Sequence, residues 1–168
     1  MMCAAWPALA GVIQGKVIEV PDGGTLTILS KEGASIHRVR LAGIDAPGKN
    51  RAIGGSSRES LMRMARGKLV RVETASIDGR GLLVGIVLIE RTQKDCGTQP
   101  CAPLFDPGIA QLTSGMAKVD KSNVGFHSPE SQKLYAEAQS KAKAQRLGIW
   151  RESSPSNATH DGPAAPLR

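Results

Sequence analysis

Aromatic side chains are scarce in this sequence, which has two tryptophans, two phenylalanines and one tyrosine, 3% of the chain. Proteins that hold single-stranded nucleic acid without reading its sequence usually stack bases on rings. Any such binding here therefore rests on charge and is modest in strength. Long apolar runs are missing too: no stretch approaches the ~20 residues of a transmembrane helix, so no membrane insertion is expected. Histidines are few and scattered at His37, His127 and His160, with none in a ligand pattern. Acids are outnumbered 15 to 22 by lysine and arginine, giving a formal charge of +7. That balance makes polyanions the first partners to consider, although solvated surface lysines give the same total.

Only three cysteines are present. Cys96 and Cys101 bracket Gly-Thr-Gln-Pro, a turn-rich loop that a disulfide can close, with a stabilisation of roughly 2 kcal/mol by the loop-entropy model. With no second pair and no nearby histidine they make a poor zinc site. Cys3 is left over in an apolar segment, residues 1–11, where Ala8-Leu9-Ala10 precedes Gly11 as small-x-small before a cleavage site. No positive region precedes it. We read it as the remnant of a signal peptide, which with a disulfide points to a periplasmic or secreted protein. A cytoplasmic protein with a ragged N-terminus is the alternative.

The remaining sequence alternates short strand signals with helical ones. Strands are expected at 12–20, 25–29, 36–44, 68–73 and 81–89, where β-branched residues alternate with polar ones or form a short apolar run. Ser56 with Glu59 reads as a capping box for a helix over 57–66, stopped by Gly67. Asp106-Pro107 opens a brief helix with Ile109 and Leu112 inward and Gly115 at its end. A longer helix runs from Ser128-Pro129 to about Leu147, with Leu134, Ala138, Ala142 and Gln145 along one side and Gly148 as its stop. Phe126, Tyr135, Ile149 and Trp150 read as packing residues. Residues 153–168, rich in proline and small polar residues, read as a disordered tail.

Five strands, a helix between the third and fourth, and two C-terminal helices outline an α+β fold, a five-stranded OB-type β-barrel with about three helices. Over residues 12–152 the chain resembles the staphylococcal nuclease (thermonuclease-like) family. The segments that carry the likeness, in order, are GKVIEVPDGGTLTI, VRLAGIDAP, GKLVRVE, DGRGLLVGIV, TSGMAKVD and AEAQSKAKAQRLGIW. The resemblance implies an arginine pair that clamps the scissile phosphate, a calcium ion held by aspartates, and a glutamate that activates water. Phosphodiester cleavage needs such groups, because negative charge builds on oxygens while a deprotonated nucleophile attacks. Arg40 and Arg80 fall on the arginine positions, and Asp22 and Asp45 on two aspartate positions.

This chain departs from the pattern at four places. Asp22-Gly23-Gly24-Thr25 stands where the family has Asp-Gly-Asp-Thr, so Gly24 replaces a calcium carboxylate. Asp45-Ala46-Pro47-Gly48 stands where it has Asp-Thr-Pro-Glu, so Gly48 replaces the base. The tyrosine beside the second arginine is lost or replaced by Asp78, and the pocket tyrosines fall near Lys121 and Asn123. Losing the base alone lowers a rate by roughly 100- to 10,000-fold.

A degenerate member of the family is therefore expected, with weak or no hydrolysis. Arg40 and Arg80, aided by Lys49 and Arg51, and with Arg58 adding charge beside the same loop, would bind single-stranded nucleic acid or another phosphate-bearing ligand. Asp45 and Asp22 would be vestigial metal positions or turn residues, and no cofactor is expected. Two rivals stand beside this reading: a calcium-dependent endonuclease with a relocated carboxylate, Glu59 or Asp78, and a module that displays its loops to a protein partner.

Overall fold

The computed structural model describes residues 11–33 and 35–151. The expectations for Cys3, the small-x-small segment, His160 and the 153–168 tail lie outside these residues.

Alternation along the first strands decides which faces are dry. Val17 and Val20 of β1 (Val12–Asp22), Leu26 and Ile28 of β2 (Thr25–Ser30), and Val39 of β3 (Ile36–Leu41) point inward and are fully buried. Val70 and Val72 of β5 (Leu69–Ile77) join them with Val87 and Ile89 of β6 (Leu83–Glu90). Register shifts between Val17 and Asp22 bend β1, which pairs with β2 along one edge and β5 along the other. β3 then pairs in parallel with β6, Val39 opposite Leu83 and Leu41 opposite Gly85, and closes five strands into a barrel. Gly85 lets β6 lie close against β5, since a Cβ there would lie 2.7 Å from the Glu73 carbonyl oxygen.

Gly43, at φ +78°, ends β3 sooner than expected. The chain re-enters extended structure as a separate β4 (Ile44–Asp45), which pairs with β8 (Lys118–Val119) outside the barrel. Helix α1 (Gly54–Ala65) also differs from its expected span. Its N-cap is Ile53, with no side-chain cap, and the Ser56–Glu59 box does not form. Successive turns, Arg51 N–H to Gly48 O and Gly54 N–H to Arg51 O, deliver the chain already coiled, so the helix starts early. Glu59 instead meets Arg63 one turn on, at 3.1 Å. Gly67, at φ +77°, follows the helix as expected.

A one-turn helix, α2 (Gln93–Cys96), and a short edge strand, β7 (Leu104–Phe105), follow β6. A Cys96–Cys101 disulfide spans the loop between them. Helix α3 (Pro107–Thr113) is capped by Asp106, whose carboxylate accepts from Gly108 and Ile109 N–H and from the Tyr135 hydroxyl. Helix α4 (Pro129–Ala144) buries Tyr135, Ala138 and Ala142, while Leu134 is exposed. Tyr135 displaces Leu134 from the inner face because its hydroxyl reaches Asp106 while its ring packs on His127 at 4.4 Å. Phe126 is exposed rather than packed. The helix ends before Leu147: Arg146 adopts φ 51°, and Leu147 N–H returns to Ala142 O in a Schellman-type closure where glycine is usual. Ile149 and Trp150 lie in a final 3-10 turn (Gly148–Trp150), half-buried, with Ile149 N–H held by Gly115 O.

Candidate functional site

The β1–β2 hairpin is a two-residue turn, with Asp22 opposite Thr25 and the Asp22 carboxylate accepting the Gly24 N–H at 2.9 Å. A Cβ at Gly23 would strike Ser57 Oγ, so the turn sits directly against α1. Gln111, fully buried, locks this arrangement: its amide donates to Gly23 O at 2.8 Å and to Ser57 O at 3.0 Å. Gly24 lies outside the left-handed region, and a Cβ on it would rest 3.4 Å from the Ala46 Cβ. The hairpin and the Asp45–Gly48 loop therefore face one another. A Cβ at Gly48 would meet nothing within 4 Å.

Arg40 projects from β3 between two carboxylates, 3.4 Å from Asp120 and 3.9 Å from Asp45. The β4–β8 register sets Asp45 opposite Lys118, and their side chains pair at 3.3 Å. Asp120 is held by the Ser122 hydroxyl at 2.6 Å and the Asn123 amide at 2.7 Å. Burial pushes its carboxyl up, but the Ser122 and Asn123 bonds and Arg40 together bring it below the ordinary value near 3.8.

Arg80 lies in the β5–β6 turn, 71% exposed, with its guanidinium 3.5 Å from Asp78. One Asp78 oxygen accepts Arg80 and Leu82 N–H at 2.9 and 3.0 Å, while the other is buried with no hydrogen bond. Chiefly the Leu82 N–H, then Arg80 N–H and the Arg80 and Arg40 charges, hold this carboxyl below its ordinary value despite partial desolvation. Arg80 contacts Asp78 directly, whereas Arg40 is paired with Asp120 and Asp45 and reaches Asp78 only as a weaker through-space charge. Three acids, Asp45, Asp78 and Asp120, offset the charge of Arg40, Arg80 and Lys118 around this point.

The other expected residues divide. Arg51 lines a cavity of about 570 Å³ beside the Asp45–Gly48 loop, whereas Lys49 is exposed nearby and does not line it. Arg58 donates to Val20 O at 2.8 Å and is thereby tied to the barrel. Glu59 is engaged with Arg63 and lies outside the cavity wall. Asp120 and Lys118 were not singled out in the sequence. The Asp-Lys-Ser-Asn turn was the available signal for Asp120, but its arginine partner is 80 residues away.

The resemblance implies a calcium ion near residues 22, 24 and 45. The donors present do not fit one: Asp22 is turned to its own hairpin, Asp45 is paired with two cations, and Gly24 supplies nothing. Among the described residues no group of three or more His, Cys, Asp or Glu is placed to hold a metal ion. What the arrangement can do is present cationic donors, bracketed by carboxylates, to an anion.

Residues 38–152 match the model of the family described as staphylococcal nuclease homologue. An uncharacterized endonuclease of Haemophilus influenzae is 30% identical over 140 residues, covering 83% of this chain and 67% of that protein. A micrococcal nuclease of Shigella flexneri is 30% identical over 143 residues, covering 82% and 73%. Protein ParB of Escherichia coli is 30% identical over 150 residues, covering 89% and 78%. With a closed five-stranded barrel, the order of its segments and a match over most of its length all in agreement, this chain is a member of the staphylococcal nuclease family.

Proposed function

We propose that this protein binds nucleic acid, or another phosphate-bearing ligand, through Arg40 and Arg80 and hydrolyses phosphodiesters weakly or not at all. The observation that carries this reading is a pair of glycines at two positions where the family pattern has carboxylates. Gly24 and Gly48 stand where the family pattern has a metal carboxylate and a general base, and among the described residues no group of three or more His, Cys, Asp or Glu is placed to hold a metal ion. Arg40 and Arg80 remain, Arg40 set against Asp120 and Asp45 and Arg80 against Asp78. A phosphate competing with Asp120 and Asp45 for Arg40, and with Asp78 for Arg80, would gain charge-assisted hydrogen bonds without any metal.

The test is fluorescence anisotropy with a labelled single strand at low salt, run beside a digestion assay with calcium against chelator. Binding that is lost in Arg40→Ala with Arg80→Ala, together with negligible digestion, supports the reading. Brisk chelator-sensitive digestion refutes it.

A second reading is endonuclease activity with a relocated base. Relatives named endonuclease and micrococcal nuclease favour it, and so does the Asp78 oxygen that lies 3.5 Å from Arg80 without a hydrogen bond. Against it, a carboxylate held at lowered pKa is a weak proton acceptor. Digestion abolished by Asp78→Asn would decide for this second reading.

A further inference from the structure

The cavity beside the Asp45–Gly48 loop is not used by the arginine pair. It is walled by that loop, the start of α1 and the final 3-10 turn, and its size falls within the roughly 300–1,000 Å³ of small-ligand sites. Gly48 leaves it open on the loop side, where a side chain would meet nothing within 4 Å. Its lining combines apolar surface from Ala46, Ala52 and Ile149 with cations from Arg51, Lys118 and Arg151. Lys118 is already paired with Asp45 at 3.3 Å. Arg51 and Arg151, both exposed, have no carboxylate partner among the described residues. They are thus unlike Arg40 and Arg80, which are each matched by acids.

We propose that this cavity is a nucleotide subsite, with phosphate at Arg51 and Arg151 and the base laid against the apolar wall. In a chain with so few rings, guanidinium planes and aliphatic faces are the surfaces left for a base to cover. The Asp45 carboxylate links the cavity to the arginine site: it belongs to the wall and lies 3.9 Å from Arg40. A strand gripped at Arg40 can therefore place its neighbouring nucleotide here. The inference deepens, and rests on, the nucleic-acid reading above.

The experiment measures anisotropy of a labelled oligothymidylate and, separately, chemical-shift changes on adding thymidine 5′-monophosphate, using the full chain. Ala52 is exposed, so Ala52→Trp fills the cavity from its rim without disturbing the core. Ala52→Trp, and Arg51→Ala with Arg151→Ala, are each expected to weaken strand binding by about tenfold, the scale of one lost base contact. The control, Lys133→Ala with Lys141→Ala, removes the same charge from exposed positions of α4 and is expected to change affinity by less than about threefold. Mononucleotide shifts in the wild type that vanish in Ala52→Trp identify a free nucleotide as a ligand. Sensitivity of the oligomer alone identifies the neighbouring residue of a strand, and either result supports the subsite. If strand binding is lost in Arg40→Ala with Arg80→Ala but unchanged by the cavity variants, the subsite is overturned while the function proposed above stands. If the wild type binds no strand, both fall.

Discussion

At the scale of single residues, the two glycines are the sharpest handle on the chemistry. Gly24 and Gly48 both lie outside the left-handed region, and a Cβ at either meets no worse than ordinary contact. Gly24→Asp with Gly48→Glu should therefore fold, and a calcium-dependent digestion assay is expected to show a gain of at least about 100-fold, the lower range for a general base. No gain in a folded double variant would mean that the absent carboxylates are not what limits hydrolysis. Asp120 gives a second test, because its carboxyl is depressed on folding. Its stabilisation is present above the unfolded value near 3.8 and is lost as pH falls through the lower folded value. Asp120→Asn is expected to cost roughly 1–2 kcal/mol at neutral pH. In urea titrations the gap to wild type should stay flat above about pH 5 and close in stronger acid. The same variant relieves Arg40 of a partner, so single-strand affinity is expected to rise by up to about fivefold.

At the scale of elements, legibility followed the range of the determining contacts. The five barrel strands were readable because inward positions such as Val17, Leu26, Val39 and Val72 carry their alternation locally. So was α3, whose cap and first residue, Asp106 and Pro107, are adjacent in sequence. The start of α1 was not, because a turn beginning at Gly48 and not the Ser56–Glu59 pair launches it. The end of α4 was missed because Arg146, not a glycine, takes the left-handed position. For the site, the family resemblance picked out Arg40, Arg80 and Asp45, but not the pairing of Arg40 with Asp120 or of Asp45 with Lys118. Asp120 meets Arg40 only after the barrel closes and β8 joins β4. Gln111 was equally hidden: a polar residue on a short helix gains its role from carbonyls 88 and 54 residues away. Gln111→Leu keeps the volume but removes both donations, taking the Gln111 donor from Gly23 O while Ser57 O keeps its place in the α1 hydrogen-bond ladder. Chemical denaturation is expected to show a loss of roughly 1–3 kcal/mol, and a loss under about 0.5 kcal/mol would mean the clamp is dispensable.

For the whole molecule, a formal charge of +7 says little about how many phosphates a strand would neutralise. Around Arg40 the charges nearly cancel, because Asp45, Asp78 and Asp120 face Arg40, Arg80 and Lys118. Cations without acidic partners among the described residues matter more, and Arg51 and Arg151 at the cavity are two of these. Mostly exposed Arg80 adds a third, since its one acid is also held by backbone N–H groups. Each phosphate neutralised on a single strand contributes about 0.7 to the slope of log affinity against log salt. Three such contacts give a slope of about −2, far shallower than the total charge would give if every cation took part. Anisotropy across a salt series measures that slope directly. A value steeper than about −4 would mean that exposed lysines such as Lys133 and Lys141 of α4 carry the binding and that the corner built around Arg40 is incidental to it.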